Sequence, residues 1–209
     1  MSIHELSVRF AAYLAQELNS DQRQELRMAY GLEILLGEII KLIVIISLSW
    51  MLNILPEVLT ITVTAGILRL ASGGEHCSEY YRCLIGGTAW FLFLGWGVHS
   101  LNILLNQSTI NISAGLLFFL SIILILKYAP GETENKPISS EAERKKFKNW
   151  SVAIMIIYGF IIVLFSNLAV LNMFALPIAT GIIAQAFTVS PAGYGFIHFV
   201  DRVLDFSKG

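Results

Sequence analysis

The sequence predicts an all-α integral membrane protein: a helical bundle of about six transmembrane segments with an N-terminal amphipathic helix. Three observations carry that prediction. First, 56% of the residues are hydrophobic and only 14% are charged, against about 25% charged in a typical soluble domain. Second, long apolar runs recur along the chain, separated by short polar stretches. Third, if every run crosses the bilayer, all Lys and Arg residues except Lys41 fall on one side. The positive-inside rule makes that side cytoplasmic, with both termini. A net charge of −1 gives no bulk attraction to nucleic acid, and no such partner is expected. Two cysteines make no disulfide framework.

The elements follow in chain order. Ile3, Leu6, Phe10, Leu14 and Leu18 recur at steps of three and four and predict one apolar stripe on a helix. Such a helix lies in the membrane interface or packs on the protein's own loops; both readings fit, and residues 1–30 are taken as an N-terminal interfacial region. Asn19 and Ser20 read as a cap, with Asp21 in the first turn of the next helix. Ile34 to Leu55 is nearly all apolar and long enough to cross. Glu38 and Lys41 inside it are three residues apart, so they share a face and predict a structural ion pair.

Pro56 then predicts a break and a tight turn. The second run, Val58 to Ala71, is threonine-rich and short, so it must borrow residues, thin the bilayer or be re-entrant. The charge distribution favours spanning. Leu84 to Leu105 is the third run; Gly86, Gly87, Gly95 and Gly97 offer close helix approaches and suit a homodimer. His99 within it predicts an interhelical hydrogen bond. A charge-free turn at Asn106–Asn111 precedes the fourth run, Ile112 to Leu126. Residues 127–150 read as a cytoplasmic basic loop. Trp150 to His198 holds no Asp, Glu, Lys or Arg and predicts a hairpin turning near Leu171–Asn172, with Pro177 and Gly181 as kinks.

Chemistry concentrates in residues 69–83, RLASGGEHCSEYYRC. A thiol nucleophile needs a base, and a thiolate is favoured at a helix N-terminus, where Cys83 stands at the start of the third run. His76 and Cys83 on one straight helix would lie about 10.5 Å apart along the axis. They can work together only if the chain turns between them, and Gly73-Gly74 and Ser78 make such a loop. Cys77 adjoins His76 and is the rival nucleophile; spacing alone does not exclude it. A zinc site from His76, Cys77 and Cys83 lacks a fourth ligand and a CxxC pair, so neither metal nor cofactor is expected. The basic cluster Arg144, Lys145, Lys146 and Lys148 reads as a solvated face drawn to anionic lipid or an acidic peptide.

The pattern Arg69, Gly73-Gly74, His76, and Cys83 seven residues later resembles the AgrB family of accessory gene regulator proteins. A second match is Ala129-Pro130 followed by Asn135-Lys136-Pro137-Ile138. The resemblance covers nearly the whole chain, which is then one membrane peptidase domain, 1–209. It implies a membrane-embedded cysteine endopeptidase of peptide quorum sensing. Its expected partner is an AgrD-like propeptide with an amphipathic leader, a core and an acidic tail. By carry-over, His76 and Cys83 are catalytic, and Glu33, Arg69, Gly73, Gly74, Lys136 and Pro137 support the site or bind substrate. Cys83 would release the tail, hold the core as a thioester and pass it to an internal thiol or hydroxyl, giving a (thio)lactone. Arg144, Lys145, Lys146 and Lys148 would dock the acidic tail. Cys77 departs from the family's pattern, which has a small residue after the His. The competing readings are a small membrane transporter or scaffold using Glu38 and Lys41, and a thiol-dependent membrane acyltransferase.

Overall fold

The computed structural model describes residues 3–18, 20–75, 77–132 and 140–205. The chain divides into two compact units, residues 1–47 and 48–209, each described by itself.

The first unit holds α1 (Ile3–Glu17) and most of α2 (Gln22–Met51). Of the stripe read from the sequence, Phe10 is 54% and Leu18 65% exposed, while Leu6 and Leu14 are half-buried. The cap of α2 is Asp21 rather than Ser20, and Asn19 lies outside the described residues. The Gln24 amide donates to Asp21 Oδ1 at 2.7 Å, and the Asp21 amide donates to Gln24 Oε1 at 3.3 Å. That reciprocal pair is a capping box, which needs the carboxylate three residues before the amide. Lys41 donates to Glu38 at 2.7 Å, the ion pair expected from their spacing.

The second unit is an all-α membrane bundle. It contains α3 (Leu55–Ser72), α4 (Tyr80–Leu104), α5 (Gln107–Tyr128), α6 (Glu141–Asn167), α7 (Ala175–Thr188) and α8 (Pro191–Val203). Five helices among the described residues, α2 to α6, are long and apolar enough to cross a membrane; α7 and α8 add a sixth only as a broken span bent by 82°.

Several details differ from the expected frame, each for a local reason. Pro56 stands in the first turn of α3, where its missing N–H costs nothing. The helix therefore runs 18 residues, about 27 Å at 1.5 Å per residue, which removes the apparent shortfall. Two of its three threonines are satisfied within it: the Thr60 and Thr62 hydroxyls donate to the carbonyls four residues back at 2.7 Å. The predicted turn at Asn106–Asn111 is mostly helix, because Asn106 caps α5 by accepting from the Thr109 amide at 2.9 Å. Residues 141–150 are the start of α6 rather than loop, with Ser140 as cap. The hairpin turn falls at 168–174 and includes a 3-10 turn at Asn172–Phe174. Pro177 does not kink α7, since it lies in the first turn. The break comes at Val189–Ser190 instead.

The last long apolar stretch turns out to be the core. Eleven of the 14 residues of α7 are buried, as expected of a helix apolar all round. It packs chiefly on α3 and α5. A Cβ on Gly181 would sit 2.6 Å from the Ile61 carbonyl oxygen of α3, so the small residue permits a close backbone approach. Tyr158 of α6 donates to the Thr64 carbonyl of α3 at 3.2 Å. Chain direction alternates, so the C-termini of α3, α5 and α7 and the N-termini of α4 and α6 meet at one end. Hydrogen bonds among residues 72, 73, 131, 132, 185 and 194 tie that end together.

A candidate cysteine site at one end of the bundle

The loop leaving α3 is fixed before it reaches residue 76. Gly73 has φ +66° and Gly74 φ +126°, backbone conformations that favour glycine. A Cβ on Gly73 would lie 2.3 Å from the Gly131 carbonyl oxygen, because Gly73 and Gly131 form a parallel bridge and the Gly131 amide donates to Ser72 O at 2.8 Å. The adjacent glycines therefore answer both a dihedral and a space requirement. The second sequence motif meets the first here, since Gly131 follows Ala129-Pro130. Tyr194 of α8 closes the junction by donating to Glu132 O at 2.7 Å.

Arg69 and Gln185 hold the loop's carbonyls. The Arg69 guanidinium donates to Gly74 O at 3.3 Å and Glu75 O at 2.5 Å, and reaches Gln185 Oε1 at 3.5 Å. Gln185, only 3% exposed, donates to Ser72 Oγ at 2.9 Å and Gly73 O at 2.8 Å. Buried carbonyls left without donors would be costly, so this clamp has an energetic as well as a geometric role.

On the far side of residue 76 the chain is again non-helical from Cys77 to Glu79, and α4 begins at Tyr80. Cys83 lies in the opening turns of α4. The Cys77 thiol hydrogen-bonds to Cys83; that bond, burial, and the negative charges of Cys83 and Asp201 push it well above the usual thiol range. Cys77 therefore holds its proton more tightly than an ordinary thiol. The chain does turn between the loop and Cys83, as joint action of residues 76 and 83 would need.

His76, Lys136 and Pro137 lie outside the described residues. Glu33, in the first unit, pairs with His4 at 2.9 Å. The basic cluster divides. Lys145 and Lys146 are exposed at the start of α6, and Arg144 pairs with Glu132. Lys148 turns inward and donates to the carbonyls of Ile125, Leu126 and Ala129, capping the C-terminus of α5.

Sequence reasoning missed Gln185 and the acidic pair Asp201 and Asp205. A lone amide in the apolar stretch 175–188 was a legible signal for the first. The spacing of four between two carboxylates in a short tail was the signal for the second.

At the other end of α3 and α4, His99 Nδ1 lies 2.8 Å from Glu57 Oε1, the interhelical bond expected of His99. Asn102 donates to Met173 O at 3.4 Å.

Comparison with known proteins places the chain in a family. The family profile described as Accessory gene regulator B matches residues 7–189. A putative AgrB-like protein of Clostridium perfringens (strain SM101 / Type A) is 30% identical over 95% of this chain and 96% of its own length. An accessory gene regulator protein B of Staphylococcus aureus (strain MRSA252) is 32% identical over 89% of this chain and 93% of its own. No solved structure matches. The chain belongs to the accessory gene regulator B family.

Proposed function

We propose that this protein is a membrane cysteine endopeptidase that processes and cyclises an AgrD-like quorum-sensing propeptide. Family membership supports a role in processing such a peptide. The observation that carries the chemistry is the seat of Cys83 in the opening turns of α4, where helix amides favour a thiolate, beside a Cys77 thiol pushed up by its bond to Cys83. It favours Cys83 as the nucleophile, since thiolate is the reactive form.

In this reading the Cys83 thiolate attacks the carbonyl at the end of the peptide core. The carbon–nitrogen bond breaks, His76 gives a proton to the departing amine, and the acidic tail leaves. The core remains as a thioester on Cys83. An internal thiol or hydroxyl then attacks that thioester, the carbon–sulfur bond breaks, and the ring closes as Cys83 is released. Holding the core near its own carbonyl makes ring closure effectively intramolecular and lets it outrun hydrolysis. Arg69, Gly73 and Gly74 set the loop, and the family resemblance gives Glu33, Lys136 and Pro137 supporting or substrate-binding roles. Exposed Lys145 and Lys146, with Arg144 next to them, receive the acidic tail, whereas Lys148 is turned inward onto the end of α5. The site faces the cytoplasm, because the end that carries it also holds the Lys and Arg residues of α6. Gly87 and Gly97 of α4, which have open space beside them, are the available close-approach positions for a homodimer.

The test is tail release from the cognate propeptide by the purified protein. Cys83→Ala and His76→Ala should each abolish release, and Cys77→Ala should retain it. Release by Cys83→Ala would contradict the assignment.

A further inference from the structure

Beyond the region matched by the family profile, α8 reaches back to the start of α4. Its seat is well defined. Trp90 of α4 packs on Phe187 at a centroid distance of 6.3 Å and on Phe196 of α8 at 5.2 Å. A Cβ on Gly86 would meet Val200 at 2.7 Å, so α4 and α8 touch where the small residue lets them. This contact delivers Asp201 to the polar segment between residues 76 and 83.

There Asp201 joins both sides of that segment. The Ser78 amide, two residues after His76, donates to Asp201 Oδ1 at 3.2 Å and Oδ2 at 3.3 Å. Arg82, the residue before Cys83, lies 3.5 Å from the same Oδ1 and donates to the Asp201 carbonyl at 3.2 Å. Arg82 also donates to Ser78 Oγ at 3.2 Å and to Asp205 at 2.8 Å. The Arg82 side chain is 11% exposed and that of Asp201 22%, so solvent screens this network less than a surface pair. Such charge-assisted bonds are the stronger kind.

We infer that Asp201 is a positioning residue for Cys83: it fixes the loop that follows His76 against the turn of α4 that presents the thiol. The inference rests on the His76–Cys83 reading above. It makes α8 part of the reactive end. Asp201 acts through Ser78 and Arg82, not on the peptide.

The sign of one effect separates positioning from mere proximity of charge. If Asp201 were only a nearby carboxylate, its removal would ease thiolate formation at Cys83 and speed alkylation. If it positions the loop, its removal loosens the imidazole from the thiol, so the thiolate becomes harder to form. The experiment is alkylation of the full-length protein in detergent by iodoacetamide from pH 5 to 10, with Cys83 and Cys77 followed separately by peptide mass mapping. Wild type, Asp201→Ala, Asp201→Asn and His76→Ala are compared, each checked by thermal melting. Asp201→Ala should move the Cys83 profile to higher pH by about one unit, roughly a tenfold slower reaction at pH 7. Asp201→Asn, which keeps an acceptor for the Ser78 amide, should fall between. It also provides the comparison if the alanine variant does not fold. A Cys83 profile in Asp201→Asn and Asp201→Ala that is unchanged or moved to lower pH, beside a raised profile in His76→Ala, would overturn the positioning role alone. A wild-type profile in His76→Ala would instead contradict the dyad on which it rests.

Discussion

At the residue scale, the site is a matter of which groups are held and which keep their protons. Cys77 and Cys83 are both thiols in a partly buried setting, yet they are not equivalent. The Cys77 thiol is pushed up by its bond to Cys83, by burial and by the charges of Cys83 and Asp201. For an acid, a raised pKa retains the neutral form to higher pH, so Cys77 should resist alkylation at pH 8 while Cys83 reacts. Peptide mapping after brief iodoacetamide treatment reads this directly, and faster labelling of Cys77 would contradict it. Gly73 offers a second prediction. Gly73→Ala places a Cβ at a positive φ and against Gly131 O. The strain alone costs about 1–3 kcal/mol, so the variant should melt earlier in detergent and lose processing. An unchanged melting temperature would count against the bridge between the two motif segments.

At the element scale, helix ends decide more than helix middles. Lys148 looked, in sequence, like one more member of a basic cluster. Its position seven residues into α6 instead carries its ammonium to three carbonyls at the end of α5. Lys148→Met should therefore cost stability, about 1–3 kcal/mol for carbonyls left unpaired. Neutralising exposed Lys145 and Lys146 should leave the melting temperature alone, weaken propeptide processing and flatten its salt dependence. Equal thermal losses in both sets would erase the distinction. The bend between α7 and α8 follows the same logic. A Cβ on Gly193 would lie 2.0 Å from the Phe187 carbonyl oxygen, so this glycine lets the chain fold over tightly. Sequence periodicity identified the apolar stretches well, because period and run length survive burial. It misplaced their ends at Asn106 and at Val189–Ser190, where caps and close backbone approaches act over one or two residues. It also could not rank the helices: α7 reads as one more apolar segment, and only packing reveals it as the core. The proposed reactive segment stands out in the sequence as a polar island holding His76 and both cysteines. For Gln185 and Asp201, which hold that segment from α7 and α8, the sequence marked the residues but not their role, because their partners lie more than 100 residues away in sequence.

At the scale of the molecule, alternating helices gather the two motif segments, the start of α4 and the end of α7 at one end. In the proposed reading the positive-inside rule puts that end at the cytoplasm. The check is labelling of single cysteines in intact cells, in a background where both native cysteines are replaced. Asn106→Cys should react with a membrane-impermeant maleimide from outside, and Lys145→Cys should react only after permeabilisation. The opposite pattern would invert the topology. The central claim is the covalent one, that Cys83 holds the peptide core as a thioester. Intact mass spectrometry of the purified protein with its cognate propeptide tests it most directly, with wild type, Cys83→Ala, Cys77→Ala and His76→Ala run in parallel. The predicted result is a hydroxylamine-sensitive adduct of core mass in wild type and Cys77→Ala, absent from the other two. An adduct retained in Cys83→Ala and lost in Cys77→Ala would contradict it.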